Sequence, residues 1–479
     1  MKKIYYIFTV IAVLSACTDN FEEYNTDMKN PASVDGEYLF SNAEKALIDH
    51  VSSTNVNQNI FKLWAQYWNE TTYTDEANYD LVTRNIADNN FRYYYRETLM
   101  DLQEAERLIT EKETFDEAAK QNKLNIIVLL RAYAYQELVD IFGAVPYSEA
   151  LNPENVYPAY QAGDEIYKDL ITKVKAAVAA LKPTEDSYGS ADLFYGGDVA
   201  QWIKFGNSLL IKLGITIIDS DASLASQTIL AGVNGGAFES ADDDALFAYL
   251  GSMPNANPIY VDVIASGRRD FVPANTITDI MTELGDPRLP AYCTPYGADD
   301  DGNPVYKGGE YGYPTPYGNY SHIPDYISAP DFHGILMTYS EIQFYLAEAA
   351  FKGVSLPQSA EDYYVEAIKT SFDFWATGGA DDYIATDAVK YNAANAKEQI
   401  AVQSWIASYT RGLVGYTTWR RLDYPILNIA ETIDSYSEIP VRFTFPVNEQ
   451  TLNKVQYAEA VKLISGGDLM TSRIFWDKY

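Results

Sequence analysis

The chain has 479 residues, 67 of them acidic against 35 basic, for a net charge of −32. A surface of that sign repels nucleic acid and anionic membrane patches and favours neutral or cationic ligands. At 47% hydrophobic and 14% aromatic, the chain has the material for a large core, and its length allows either about three domains or one long helical array.

The N-terminus carries an address. Lys2 and Lys3 precede an apolar run from Ile4 to Leu14, interrupted only by Thr9. The run is too short to span a bilayer and suits a signal-peptide core. It leads into Leu14-Ser15-Ala16-Cys17, which resembles a lipobox: residues 1–16 are expected to be cut away and Cys17 acylated. A plain signal peptide with a chance cysteine is the alternative. No later segment holds the ~18 consecutive apolar residues of a spanning helix, so attachment would rest on lipid. Each buried CH₂ contributes about 0.8 kcal/mol, so a stable anchor implies several acyl chains. Cleavage before Cys17 leaves 33 basic and 67 acidic residues, a net charge of −34. Asp19, Glu22 and Glu23 form an acidic run that resembles the surface-export signal of Bacteroidetes lipoproteins. A merely solvated stretch is the alternative for that run, and residues 17–35 are expected to form the lipidated tether. Residues 36–479 are expected to form one domain. Cys293, the only other cysteine, then lacks an intramolecular partner, and no disulfide framework exists.

From there the chain reads mainly as paired helices. Apolar residues recur at three and four positions through Leu124, Ile127, Val128, Tyr135, Leu138 and Phe142, and Gly143 with Pro146 supplies the stop. Ile166, Leu170, Val174, Val178 and Leu181 repeat the pattern, then Trp202, Phe205, Leu209, Leu213 and Ile217. The spacing predicts further helices near 38–50, 57–70, 85–112, 339–352, 359–375 and 395–408. Such pairing suggests a tetratricopeptide-like array. Residues from about 240 to 335 break it: eleven of the twenty prolines lie between Pro254 and Pro330. That segment is expected to be irregular. It also holds eight tyrosines from Tyr292 to Tyr326, and long structured loops tend to be functional. Ile439 to Pro446 reads as a short extended segment.

Several motifs in this order resemble the SusD/RagB-like outer-membrane nutrient-binding lipoproteins, specifically the second SusD-like subfamily. They are Phe142-Gly143 with Val145-Pro146-Tyr147 and Glu149-Ala150, Trp202 to Leu213 with Asn207-Ser208, Asp286-Pro287-Arg288-Leu289, and Thr338 to Ala349. Gln403, Trp405, Trp419-Arg420-Arg421 and Pro425 follow, and Ile439-Pro440 with Arg442 and Phe445-Pro446 closes the set, Phe445 standing where Tyr is common. Packing explains most of these motifs, with Phe142-Gly143 and Trp202 read as core and cap. Glu341 and Glu348, seven apart on one helix face, are expected to pair with arginines such as Arg420 or Arg421. The resemblance implies a non-catalytic binding protein. It would capture a glycan or a peptide and serve as a hinged lid on a SusC-type TonB-dependent barrel.

The residues themselves point to no catalytic constellation. His50, His322 and His333 have no metal spacing, and neither a nucleophile elbow nor a phosphate-cradling loop occurs. With 67 acids, a glycosidase pair is not excluded by counting. Aromatic faces for sugar stacking are abundant, with 40 tyrosines. Two clusters are the candidates. Trp64, Tyr67, Trp68, Tyr73 and Tyr79 surround a predicted helix end, where the resemblance also puts ligand residues. Trp64 and Trp68, four apart, would share a helix face, with a core role as the alternative. Tyr296, Tyr306, Tyr311, Tyr313, Tyr317 and Tyr320 lie in the irregular segment, with a partner-facing or self-packed loop as the alternative. Asp299, Asp301 and Asn303 around Gly302 loosely resemble half a calcium loop but lack the distal Glu, so a solvated turn is expected and no cofactor is assigned.

Overall fold

Helix α1 (Gly36–Ser52) buries Phe40, Ala43, Leu47 and Ile48, a stripe at helical spacing, in the computed structural model, which describes residues 34–114, 116–430 and 439–479. The Cys17 lipidation site, the acidic run and nearly all of the tether lie outside the described residues. After the single turn α2 (Phe61–Trp64) comes one long helical run on which α1 packs: α3 spans Ile86–Tyr93, a π-helical stretch follows over Tyr94–Leu99, and α4 completes it over Met100–Glu111. Gly36 permits the close approach, since a Cβ there would sit 2.9 Å from the Ala105 carbonyl oxygen.

Helix α5 (Glu117–Phe142) starts on Asp116, whose carboxylate accepts from the amides of Ala118 and Ala119, and ends on Gly143 at φ +83°. Its second half is buried all round because helices flank it on both sides. One flank is α6 (Gly163–Ala180), which leads to α7 (Val199–Thr216) and α8 (Ala222–Gly235). The α7–α8 contact is close because Gly232 faces the Asn207 carbonyl oxygen, 2.4 Å from where a Cβ would stand. Trp202 is fully buried, as expected of a core residue.

The second half of the array is α11 (Tyr339–Phe351), α12 (Ala360–Phe374), α13 (Ala380–Ile384), α14 (Ala396–Ala407) and α15 (Gly412–Leu422). Two short helices close the chain, α16 (Val447–Leu452) and α17 (Lys454–Lys462). Two buried carboxylates tie these helices together. Glu341 pairs with Lys212 at 3.1 Å and with Arg411, and Glu348 pairs with Arg421 at 2.8 Å and Lys352 at 3.3 Å. Arg421 is thus a partner, as expected. Arg420 is not: its guanidinium donates to the backbone carbonyls of Asp140 and Val441.

The strands among the described residues are short antiparallel pairs. β1 (Trp68–Glu70) pairs with β5 (Phe271–Pro273), Trp68 opposite Pro273 and Glu70 opposite Phe271. β2 (Ala144–Pro146) pairs with β3 (Tyr160–Ala162), and β4 (Ala245–Phe247) with β8 (Gly334–Met337). The hairpin β6 (Gly297–Ala298) and β7 (Pro304–Val305) stands alone. The protein is therefore mainly α, helices in pairs with an irregular insert. Within that insert the expectation of no regular helix is too strict: α9 (Asn275–Glu283) and α10 (Leu289–Tyr292) form there, between the prolines.

The predicted helix over 57–70 also needs correction. It lasts one turn, to Trp64. Gln66 then adopts φ +57°, outside the helical region, and the chain turns into β1. Tertiary hydrogen bonds hold Gln66 in this uncommon conformation: its amide donates to the Asn428 carbonyl at 2.7 Å and accepts from Thr276 at 2.6 Å.

Candidate functional site

The turn at Gln66 decides what becomes of the first aromatic cluster. Trp64, Tyr67 and Trp68 are 0% exposed and Tyr79 only 2%. The indole of Trp64 donates to the Glu76 carbonyl at 3.2 Å, and that of Trp68 to the Tyr409 hydroxyl at 2.9 Å. Tyr67 donates to the Trp405 carbonyl at 2.5 Å, and Tyr79 packs edge-on against Trp64. These four residues lie in the core: the polar atoms of Trp64, Tyr67 and Trp68 have protein partners, and all four rings are buried. Trp64 and Trp68 do not share a helix face, since one ends α2 and the other begins β1. Tyr73 alone of this cluster stands out in solvent, 68% exposed.

Tyr73 lies on a cleft of about 360 Å³. One wall is the loop Thr54–Asn57, another is Glu70 to Tyr73, and the third runs from Val261 to Phe271, with Arg84 beside them. Each wall is hydrogen-bonded into place. The Asp262 carboxylate accepts from the amide and hydroxyl of Thr54 at 3.0 and 3.1 Å. Thr71 donates its amide to the Asp270 carbonyl at 2.9 Å and its hydroxyl to the Arg269 carbonyl at 2.7 Å. Under the first loop, Lys62 donates to the carbonyls of Ser52 and Ser53, both at 2.9 Å. Burial lowers the Lys62 ammonium to about 7, against a partial opposing pull from Asp262.

Glu70 faces the cleft from below. Burial raises its carboxyl well above the usual carboxylate range, and the neighbouring Glu76 raises it further. It accepts from the Ala77 amide at 3.0 Å, while Glu76 is held by Arg84. Both acids are almost wholly buried. Their hydrogen bonds serve the loop that carries Tyr73.

The second cluster meets the first here. Asn69 donates to the carbonyls of Glu310 and Tyr313 at 3.0 and 2.9 Å and accepts from the Gly312 amide at 2.9 Å. Thr315 donates to the Glu70 carbonyl at 2.8 Å, and Asn78 to the Gly312 carbonyl at 2.7 Å. So the loops bearing Tyr73 and Tyr313, far apart in sequence, form one structure. Tyr313 is exposed, as is Tyr296, whose ring carries the Lys307 ammonium 5.2 Å from its centroid. Tyr311 is corrected to core, 1% exposed and beside Tyr79, with its amide bound to Asn275. Tyr306 is half-buried against the core. Tyr317 is half-buried too, stacked on His322 at 3.8 Å with the Arg269 guanidinium 5.2 Å from the ring centroid, so its faces are covered by protein. The neighbouring Tyr320 lies under Lys307 at 4.6 Å.

Sequence reasoning missed Asn55, Thr71, Arg84, Arg268 and Asp270, all on the cleft. They sit in four separate segments with no shared motif. The one available signal was the density of Asn, Thr and Asp around Tyr73. The Asp299 turn is a hairpin tip: its carboxylate accepts from the amides of Asp301 and Asn303 and from the Asn303 side chain, all within 3.0 Å. No group of three metal-ligating side chains converges among the described residues. Nor is any helix among them long and apolar enough to cross a membrane.

Solved structures share this architecture. A chitin-binding protein superposes with a TM-score of 0.81 at 24% identity, covering 93% of this chain and all of the other. A SusD homologue from Bacteroides uniformis gives 0.79 at 23% identity over 92% of this chain and all of its own. A chitin-binding SusD homologue from Flavobacterium johnsoniae gives 0.78 at 20% identity, covering 92% of this chain and 98% of its own. No curated protein matches the chain in sequence. The second SusD-like family profile, described as starch-binding and associating with the outer membrane, matches residues 28–446. With nearly the whole chain inside that profile and the helical array that accompanies it, this protein belongs to the SusD-like family.

Proposed function

We propose that this protein captures oligosaccharides at the outer face of the cell and passes them to a SusC-type TonB-dependent barrel, acting as its lid. The observation that carries the reading is Tyr73: an exposed aromatic ring on a cleft walled by Asn, Thr and Arg side chains, on loops hydrogen-bonded into one frame. A sugar ring presents apolar C–H faces with hydroxyls at the rim, and such a cleft offers a stacking face with hydrogen-bonding groups around it. Related structures described as chitin-binding support a glycan over other nutrients.

The mature chain would begin at Cys17, acylated and joined to the array by the tether, so that the lid can swing. Capture and release then need different affinities in the open and closed states, and no bond chemistry. The buried Glu70–Glu76 pair fits this, because both carboxyls are committed to internal partners.

Calorimetry or affinity electrophoresis on residues 18–479, against panels of polysaccharides and peptides, tests the proposal. Glycan binding that weakens in Tyr73→Ala is the expected result. Peptide binding with no glycan binding would replace glycan by peptide, and release of product over time would overturn the binding-only reading. Co-purification of a TonB-dependent barrel with the membrane-extracted protein tests the lid role.

A further inference from the structure

The cleft's outer wall carries Arg268, and the next residue, Arg269, stands just outside the lining, in a protein with nearly twice as many acids as bases. In such a chain a basic side chain readily finds a carboxylate, as Arg84 does with Glu76 and Arg107 with Glu104 and Glu111. Arg269 is exposed and, among the described residues, has no carboxylate within ion-pair distance. Its guanidinium instead lies 5.2 Å from the Tyr317 ring centroid, and His322 stacks on that ring at 3.8 Å with an interplanar angle of 10°. The Arg269 carbonyl is fixed by the Thr71 hydroxyl, so both ends of the residue are held. Arg268, the one of the two that lines the cleft, meets Asp270 at 3.1 Å, but both side chains are about half exposed or more. An ion pair that open to water exchanges readily for another partner.

This second step rests on the glycan reading above. We infer that the Arg268–Arg269 pair at the cleft's edge recognises a carboxylate on the ligand, so that the preferred glycan contains uronic acid residues. A guanidinium matches a carboxylate with two parallel hydrogen bonds, and stacking on Tyr317 pre-orients the Arg269 fork. The net negative charge of the protein does not oppose this, because exposed charges beyond about 8 Å are largely screened at physiological ionic strength. The acids on the cleft are engaged: Asp262 by Thr54, Asp270 by Arg268, and Glu70 by the Ala77 amide.

The test is calorimetry of the mature chain with oligogalacturonate, set against malto- and chito-oligosaccharides of equal length, at low and high salt. Oligogalacturonate should bind tighter than the neutral sugars and lose affinity in high salt. Arg269→Gln should weaken oligogalacturonate binding about tenfold, the size of one lost charge-assisted contact, with neutral sugars unaffected. Arg268→Gln should act in the same direction, and Arg107→Gln, a surface charge on α4, should change nothing. Equal affinity for acidic and neutral sugars, or an unchanged Arg269→Gln, would overturn this inference while leaving the glycan function intact. Binding to no glycan at all would overturn both.

Discussion

The Asn69 side-chain amide donates to the Tyr313 carbonyl at 2.9 Å, joining the middle of β1 to a loop 244 positions further along the chain. The same side chain holds Gly312 and Glu310, so one buried residue sets the spacing between Tyr73 and Tyr313. Asn69→Ala would leave a buried amide and two carbonyls short of partners, at about 1–3 kcal/mol. Chemical denaturation should show that loss, and ligand affinity should fall by more than the stability change accounts for.

Trp68 and Tyr73, five residues apart, should separate cleanly. Trp68→Ala opens a cavity in the core and is expected to cost about 3–5 kcal/mol. Tyr73→Ala removes an exposed ring and should cost under about 0.5 kcal/mol. It should nevertheless weaken glycan binding about tenfold, the scale of one aromatic contact. Thermal melts paired with calorimetry read both.

Glu341 binds Lys212, Arg411 and the Tyr345 hydroxyl inside the helical array. Burial alone would raise its carboxyl, but Lys212 and Arg411 outweigh burial and hold it at about 2. A depressed carboxylate contributes stability above its unfolded value near 4.5, and that stability is lost as pH falls toward 2. Glu341→Gln leaves two buried cations short of a counter-charge and should cost about 3–5 kcal/mol at neutral pH. The variant should approach the parent in stability as the pH is lowered through that window, measured by urea titration at several pH values.

Glu70 has the opposite sign. Its folded carboxyl is raised, first by burial and then by Glu76. Such a group contributes stability that is complete below the ordinary carboxylate range and is lost as pH climbs through the folded value. Glu70→Gln should therefore flatten the stability profile relative to the parent between about pH 5 and 7. Lys62, lowered to about 7, titrates at the upper edge of that range but is present in both proteins and cancels in the comparison. Parallel slopes in the two proteins would show that Glu70 keeps its charge in the fold.

Much of the helical scaffold was readable because its signals are local. Asp116 caps α5 and Gly143 ends it, and the helices predicted near 339–352, 359–375 and 395–408 form as Tyr339–Phe351, Ala360–Phe374 and Ala396–Ala407. The helix over 57–70 failed for a non-local reason. Hydrogen bonds with Asn428 and Thr276, more than 200 positions away, hold Gln66 at positive φ, and no pattern within a helical window reports them.

The candidate site divides along the same line. Residue types and ordered motifs in the sequence already determined the family scaffold, the excess of acid and the wealth of tyrosine. Which tyrosines can meet a ligand was a tertiary decision. Tyr67, Tyr79 and Tyr311 have the same side chain as Tyr73 and Tyr313, but the first three are packed inside and the last two are not. Exposure depends on the neighbours that cover a ring. Tyr73 is left uncovered beside a cleft whose walls come from distant segments, 54–57 and 261–271, brought to it by the turn at Gln66 and the pairing of β1 with β5.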